Sequence, residues 1–219
     1  MFKMPLVNFI GITPNNMHFL MCCAFMPSET VKEYEFAFHF LGRLYQSVEK
    51  EYPGIDMEPP ATILGDDDAR QMVAAEVVFP NTQFRLCIWN VNATIQAKLL
   101  PQIEAEADSM FSDSSDEERK KTIDETWKIF KKDWMSALRA KSLAIWLSNW
   151  KRFREDYENR FPSVIAYIQT DIVNNYAKQL VKCWTDRQHN WGIQATRGGG
   201  QSLLKNELGT SRGDTVSGQ

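Results

Sequence analysis

Three consecutive acidic residues, Asp66, Asp67 and Asp68, follow a short apolar segment at residues 61–65. If that segment is a buried strand, the acids lie at its C-terminal end, where α/β sheets place ligand-binding groups. Asp66 is the first of them and suits Mg²⁺, a hard cation that binds one or two carboxylates together with phosphate oxygens. Two-metal phosphoryl transfer would require at least one further acid from elsewhere in the chain. The alternative is that all three acids cap the helix that follows, with Asp68 as the capping residue.

Two cysteine-containing segments and one glycine run are weaker candidates for chemistry. Cys87 is followed at Cys-x-x spacing by Asn90, and asparagine is not a ligand that zinc prefers. Cys183 and His189 are a single cysteine and a single histidine, with no further candidate metal ligands nearby in the sequence. The glycines at residues 198–200 are not followed by Lys-Ser or Lys-Thr, so they do not form a P-loop motif. These segments predict a core cysteine and a flexible turn rather than a catalytic site.

The charge of the chain is unevenly distributed, although the net charge is only -3. Residues 101–118 contain seven acids and no bases, whereas residues 119–219 contain 18 Lys and Arg against 10 Asp and Glu. A basic half indicates a polyanionic partner, and the alternative is an ordinary solvated helical surface. The candidate DNA-binding residues are Lys128, Lys131, Lys132, Lys151, Arg152 and Arg154. The tryptophans interleaved with them are Trp127, Trp134, Trp146 and Trp150, for which core packing is favoured over base stacking.

Length and composition are those of a soluble globular protein of one or two domains: 219 residues, 43% hydrophobic and 24% charged. The apolar runs are too short for a membrane span, and no secretory signal is visible. The four cysteines are too few and too scattered for a disulfide framework, so a reducing compartment is expected. Within the apolar run at residues 18–26, Cys22 and Cys23 are expected to be reduced core residues.

The elements that would position these residues form an α/β pattern followed by a helical region. The predicted order is strand 5–13, strand 18–25, a helix from Val31 capped by Ser28 or Thr30, strand 61–65, helix 69–79 and strand 83–89. Helices are predicted over most of residues 92–161 and from Pro162 to about Trp184, with an acidic loop or helix cap at residues 112–116. A glycine-rich stretch at 192–200, a helix entry near Gln201 and a polar tail from Gly209 complete the chain.

Several short segments, in this order and spacing, resemble the catalytic core of Mutator-like element (MULE) transposases. They are residues 2–13, residues 25–34, Leu64-Gly-Asp66 with Ala69, Phe79-Pro80, Leu86-Cys-Ile-Trp89, Trp184-Thr-Asp-Arg187, Trp191-Gly192, Ala195-Thr196, Leu204-Lys205 and residues 209–214. The resemblance implies an α/β, RNase H-like mixed sheet that lacks its first strand and carries a large helical insertion. It divides the chain into an N-terminal part of the core at 1–91, the insertion at 92–184, and a C-terminal part of the core with a polar tail at 185–219.

The family activity implied is metal-dependent DNA strand cleavage and transfer by an Asp-Asp-Glu triad that holds two Mg²⁺ ions. Carried over residue by residue, the first Asp falls before Met1 and the second is Asp66. A glycine of the run at 198–200 stands where the Glu is expected, and Glu207 comes too late in the chain. The family's Cys-x-x-His motif ends in Asn90. We therefore expect Asp66 to be the remaining catalytic and metal-binding residue and Mg²⁺ not to be held competently.

The function expected from the resemblance is a transposase domain fragment without catalysis of its own. The alternatives are a domesticated, non-enzymatic DNA-binding or protein-interaction module, and an active enzyme whose missing parts are encoded in unread exons. The expected partner is DNA, with homo-oligomer formation left open and neither a membrane nor a small-molecule substrate expected. Nuclear localisation is implied by the family, with the cytoplasm as the alternative and secretion not expected. Without its first strand the sheet would expose unpaired edges, which predicts poor solubility or a partner that fills the gap.

Overall fold

The computed structural model describes residues 4–13, 15, 17–66, 68–110 and 116–186. These residues form two compact units, the first ending at Phe84 and the second beginning at Arg85. The first unit contains β1 (Leu6–Ile12), β2 (His18–Phe25), α1 (Val31–Glu51), β3 (Thr62–Gly65), α2 (Ala69–Val78) and the start of β4 (Gln83–Leu86). The strand and helix order predicted for this part of the chain is therefore confirmed.

The first two strands form an antiparallel hairpin, as predicted. Leu6 is paired with Phe25 at one end and Ile12 with His18 at the other, and the register shifts between Phe9 and Ile10. Phe9 packs edge-on against Phe38 of α1, with ring centroids 5.5 Å apart. One face of the hairpin is therefore covered by α1 and supplies part of the core of this unit.

The hairpin corrects one prediction about the cysteines. Cys22 is half-buried, but Cys23 is exposed, so the expectation that both are core residues is wrong for Cys23. The physical reason is the pleat of the strand, which directs adjacent side chains to opposite faces. Cys22 is paired with Phe9, which packs on α1, and burial raises the pKa of the Cys22 thiol. Cys87 is buried, as predicted.

Helix α1 begins after Thr30, whose side chain accepts a hydrogen bond from the backbone N–H of Glu33 at 3.4 Å. Thr30 is therefore the cap, one of the two residues that the sequence offered for this position. The buried face of the helix carries Tyr34, Ala37, Phe38 and Leu41, one turn apart, as the helical period requires. Phe38 also meets Phe79 at the end of α2, with ring centroids 6.2 Å apart, so α1 lies between the hairpin and α2.

The described strands form two separate two-stranded sheets, β1 with β2 and β3 with β4. Strand β4 ends at Leu86, three residues before the end of the predicted strand at 83–89. The carbonyl of Cys87 accepts hydrogen bonds from the N–H groups of Asn90 at 3.1 Å and Val91 at 3.2 Å, so the backbone has already turned into a helix there. The mixed α/β class is confirmed, whereas the RNase H-like sheet and its missing first strand stay predictions.

The second unit is helical throughout its described length after β4, as predicted for residues 92–184. Its elements are α3 (Ile88–Met110), α4 (Asp116–Leu138), α5 (Leu143–Tyr157), α6 (Pro162–Tyr167), a π-helical turn (Ile168–Val173), α7 (Asn174–Leu180) and α8 (Lys182–Thr185). No described helix is long and apolar enough to cross a membrane. Of the acidic loop or cap predicted at 112–116, Asp116 is the first residue of α4 and residues 112–115 lie outside the described residues. The glycine-rich stretch, the helix entry near Gln201 and the tail also lie outside them.

Aromatic side chains form the core between α4 and α5. Phe130 of α4 packs against Phe153 and Tyr157 of α5, with ring centroids 5.1 and 4.8 Å apart. Three of the four tryptophans highlighted in the sequence, Trp134, Trp146 and Trp150, are buried. Core packing, rather than base stacking, is therefore confirmed for these three. Trp127 is only half-buried and stacks on Phe130 at the edge of the cluster.

Candidate functional site

Asp66 follows β3 directly and its side chain is exposed. Its backbone N–H donates to Oε1 of Gln71 on α2 at 3.4 Å. Gly65 makes this approach possible, because a Cβ at that position would lie 2.9 Å from the same oxygen of Gln71. The end of β3 and the first turn of α2 are thus held together beside Asp66. This is the position for which the sequence predicts a ligand-binding carboxylate.

Asp68 lies two residues further on and is the N-cap of α2. Its Oδ1 accepts from the backbone N–H of Arg70 at 2.9 Å. The guanidinium of Arg70 adds bonds from Nε to Oδ1 at 2.8 Å and from Nη2 to Oδ2 at 2.7 Å. These hydrogen bonds from Arg70 lower the pKa of the Asp68 carboxyl. The capping explanation is confirmed for Asp68, and Asp67 lies outside the described residues.

Arg70 also reaches the chain segment that precedes α1. It donates from Nη1 to the backbone carbonyl of Glu29, and its Nη2 lies 3.8 Å from Oε2 of the same residue. The hydrogen bond to Asp68, with the attraction of Glu29 as a smaller contribution, raises the pKa of Arg70. One arginine thereby ties the start of α2 to the residues that enter α1.

Tyr34 and Gln71 complete a hydrogen-bonded chain that sequence reasoning missed. Gln71 Nε2 donates to the hydroxyl of Tyr34 at 3.3 Å, and that hydroxyl donates to Oδ2 of Asp68 at 3.4 Å. Burial raises the pKa of Tyr34, so the hydroxyl remains a donor at neutral pH. The only sequence signal was the position of Tyr34 on the apolar face of its helix, which indicates burial but not a partner 37 residues away.

The described residues do not fit the two-metal centre that the resemblance implies. Two Mg²⁺ ions need several carboxylates converging from different parts of the chain. Across residues 4–110 and 116–186, where described, no three His, Cys, Asp or Glu side chains come together as a metal-binding group. Asp68, the nearest described acid in sequence to Asp66, has both oxygens bonded to Arg70. The glycines predicted at the position of the third acid lie outside the described residues.

The six predicted DNA-binding residues lie on two neighbouring helices of the second unit. On α5, each of the three cations has an acid one helical turn further on. Lys151 Nζ lies 3.7 Å from Glu155 Oε1, Arg152 Nε lies 3.6 Å from Asp156 Oδ2, and Arg154 Nη2 lies 3.1 Å from Glu158 Oε1. This i,i+4 spacing is visible in the sequence and was overlooked there. The cations of α5 are therefore locally neutralised.

The three cations on α4 are arranged differently. Lys128, Lys131 and Lys132 are exposed, and among the described residues no carboxylate lies within ion-pair distance of any of them. Lys128 and Lys132 are one turn apart on the same face, so their charges reinforce each other. The ammonium group of Lys131 lies over the ring of Trp127, 5.8 Å from its centroid. This lysine cluster is the stronger candidate for contact with phosphate groups.

The two helices are held together beneath these cations. The hydroxyl of Tyr157 donates to Oδ2 of Asp133 at 2.8 Å, and Asn149 Nδ2 donates to the carbonyl of Ser136 at 3.3 Å. Burial, followed by the bond to Asp133, raises the pKa of Tyr157. Polar contacts therefore set the register of α5 on α4 in addition to the aromatic core.

Comparison with known proteins bears on the first part of the chain. A search of the curated proteins found no match. Residues 1–94 match the family model of the MULE transposase domain. The matched stretch contains the hairpin, α1 and the β3–α2 turn with Asp66, whereas the six basic residues lie beyond it. Over residues 1–94, the chain is thus similar to the MULE transposase domain.

Proposed function

We propose that this chain is a MULE-type transposase domain that supplies the strand-end carboxylate Asp66 and does not cleave DNA by itself. The observation that carries the proposal is the pairing of Asp68 with Arg70. That pairing makes Asp68 a structural cap and leaves Asp66 as the exposed acid of the described turn. One carboxylate cannot hold two divalent cations close together in a defined geometry.

The contacts that hold Asp66 in place are made by its backbone. Gln71 accepts the Asp66 N–H and is itself bonded to Tyr34 on α1, so the strand end is connected to the helix behind it. The absence of a side chain at Gly65 lets Gln71 approach. In this proposal these residues hold Asp66 at the end of β3, and the chemistry requires acids that the described residues do not bring to it.

The test is a strand-cleavage assay with the full chain, a labelled DNA duplex and Mg²⁺ or Mn²⁺. The matched variants are Asp66→Ala and Asp56→Ala, the latter at an exposed acid in the loop after α1. We expect no metal-dependent cleavage above background from the wild type or from either variant. Cleavage that is lost in Asp66→Ala and kept in Asp56→Ala would overturn the claim of inactivity and assign Asp66 a catalytic role.

A second candidate function is non-enzymatic DNA binding, and the lysine cluster of α4 favours it. Exposed cations with no carboxylate within ion-pair distance can bind phosphate groups and release the counterions condensed on DNA. Lys128, Lys131 and Lys132 meet this condition, whereas the cations of α5 are paired. Such a module would act in the nucleus, the compartment that the family resemblance implies.

This second candidate is tested by the affinity for a labelled duplex between 50 and 200 mM salt, measured by fluorescence anisotropy. Binding through phosphates weakens over this range by an amount that grows with the number of contacts, roughly one unit of log–log slope per contact. We expect a slope of about -3 for three lysine contacts. An affinity that stays constant over this range would rule out the second candidate.

A further inference from the structure

Helices α3, α4 and α5 run antiparallel in turn, so the start of α3, the end of α4 and the start of α5 meet at one end of the second unit. Asn92 near the start of α3 donates from Nδ2 to Sδ of Met135 on α4 at 3.6 Å. Asn149 of α5 donates from Nδ2 to the carbonyl of Ser136 at 3.3 Å. The segments that meet there are residues 88–95, 134–142 and 143–150, and we call them the α4–α5 end.

The described part of the acidic segment 101–118 lies at the opposite end of α3 and α4. Asp108 of α3 forms an ion pair with Arg119 of α4, with Oδ1 and Nη2 2.6 Å apart. The first acid of α3 is Glu104, so all acids of this helix lie in its last two turns. The α4–α5 end contains no Asp or Glu in any of its three segments. The antiparallel order therefore separates an acidic end of these helices from an acid-free end.

Two cations of the α4–α5 end, Arg139 and Lys141, are exposed on the link between the two helices. Ala140 between them is only 3% exposed, and its N–H donates to the carbonyl of Ala137 at 3.1 Å, so the link is held against the helices. Among the described residues, no carboxylate lies within 4.0 Å of either cationic group. These two charges are therefore presented to solvent on a fixed backbone.

Acids in other parts of the second unit are bonded elsewhere. Asp133 of α4 accepts the hydroxyl of Tyr157 at 2.8 Å. In the π-helical turn, Asp171 accepts the hydroxyl of Thr170 at 2.7 Å. Asp186, after α8, lies 3.3 Å from the ammonium group of the lysine four residues before it. None of these three carboxylates forms an ion pair with the cations of the link.

We propose that Arg139 and Lys141 extend the lysine cluster of α4 into one surface that binds the phosphates of a DNA duplex at the acid-free end of the unit. This inference rests on the second candidate function, DNA binding by that cluster. The N–H of Arg139 donates to the carbonyl of Met135 at 3.0 Å, so the helical path continues to this residue. At 100° and 1.5 Å per residue, Arg139 lies within about 20° of Lys132 and about 10 Å further along the axis. The same face of α4 thus carries cations up to the link, where no acid repels a polyanion.

The test is the affinity of the full chain for a labelled duplex between 50 and 200 mM salt. Three lysine contacts give a log–log slope of about -3, and two further contacts give about -5. We expect about -5 for the wild type, and we expect R139Q/K141Q to reduce the slope by about 2. The matched control is K120Q/K121Q, which removes two exposed lysines at the acidic end of the same helix. It should keep the wild-type slope, although both variants lose the same net charge.

Three results would contradict the proposal in distinguishable ways. A slope of about -3 that R139Q/K141Q leaves unchanged would overturn the role of the link and keep DNA binding by the lysine cluster. Equal losses in the two double variants would also overturn it, because the affinity would then follow total charge and not position. An affinity that does not change with salt would overturn this proposal together with the second candidate function. Circular dichroism of each variant checks that the helices are kept, and we expect the wild-type signal because the substituted side chains are exposed.

Discussion

Arg70 binds both carboxylate oxygens of Asp68 and so separates the roles of two acids that lie two residues apart. Asp68 becomes the cap of α2 and part of a link to Tyr34, whereas Asp66 is exposed at the end of β3. Geometry thus distinguishes two of the three consecutive acids: Asp68 has a structural role, and Asp66 remains a candidate ligand. This separation leads directly to the first prediction.

Asp68→Asn should lower the free energy of unfolding at pH 7 and flatten its decline in acid. The pKa of Asp68 is lowered in the folded state, chiefly by Arg70, so its stabilisation is present above the pKa of the unfolded chain. It is lost as the pH falls through the lower folded pKa. Urea unfolding between pH 7 and pH 2 measures this contribution.

Asp68→Ala should be less stable than Asp68→Asn by about 1 kcal/mol, because alanine also removes the acceptor for the backbone N–H of Arg70. Asp56→Asn, at an exposed carboxyl, is the control for a simple change of charge. Equal pH profiles for wild type and Asp68→Asn would contradict the role given to Arg70.

The two basic helices should differ in their contribution to DNA binding. K128Q/K131Q/K132Q on α4 should reduce the slope of log affinity against log salt by about 2–3. The control is the fourfold variant K151Q/R152Q/E155Q/D156N on α5. It removes two complete ion pairs and leaves the net charge unchanged. We expect it to keep the wild-type slope. Equal losses in both variants would show that the ion pairs of α5 open on binding.

Tyr157→Phe should destabilise the second unit by about 1–3 kcal/mol, because the part-buried carboxylate of Asp133 loses its hydrogen-bond donor. The pKa of Tyr157 is raised in the folded state, so the unfolded chain releases this proton first. Stability from this group is therefore complete below the unfolded pKa and is lost as the pH rises above it. Tyr157→Phe should remove that alkaline decline, and Tyr176→Phe on α7 is the matched control.

Trp134→Ala should cost about 3–5 kcal/mol of unfolding free energy, since the side chain is fully buried and a large cavity would remain. Trp127→Ala should cost clearly less, because Trp127 is half-buried at the edge of the same aromatic cluster. Urea unfolding, monitored by circular dichroism, measures the loss of unfolding free energy in both variants. A larger loss for Trp127 than for Trp134 would contradict the assignment of the core.

Local patterns predicted most of the elements because their causes are local. Both the helical spacing of Tyr34, Phe38 and Leu41 and the candidate cap at Thr30 depend on residues close together in the sequence. Helix α1 begins after Thr30 and buries these three side chains. The strand predicted at 83–89 was too long at its C-terminal end, because β4 ends at Leu86. Alternation continues through Cys87, but the hydrogen bonds accepted by its carbonyl start α3.

The site was predicted only in part for the same reason. Asp66 and the cap Asp68 follow from their place between a strand and a helix. Tyr34 and Gln71 could not be found, because the bond between them joins two helices that the sequence does not show to be adjacent. The pairing of the α5 cations was predictable from i,i+4 spacing, whereas the exposure of Cys23 depended on which face of the hairpin meets α1.

By itself, the sequence determined the order of the elements, the place of Asp66 at a strand end, the uneven charge and the family resemblance that the match over residues 1–94 supports. Each of these depends on residue type and short spacing. The tertiary structure decided that Gln71 of α2 binds the hydroxyl of Tyr34 on α1 and that Cys23 is exposed. These outcomes depend on contacts between elements distant in the chain, and only packing determines them.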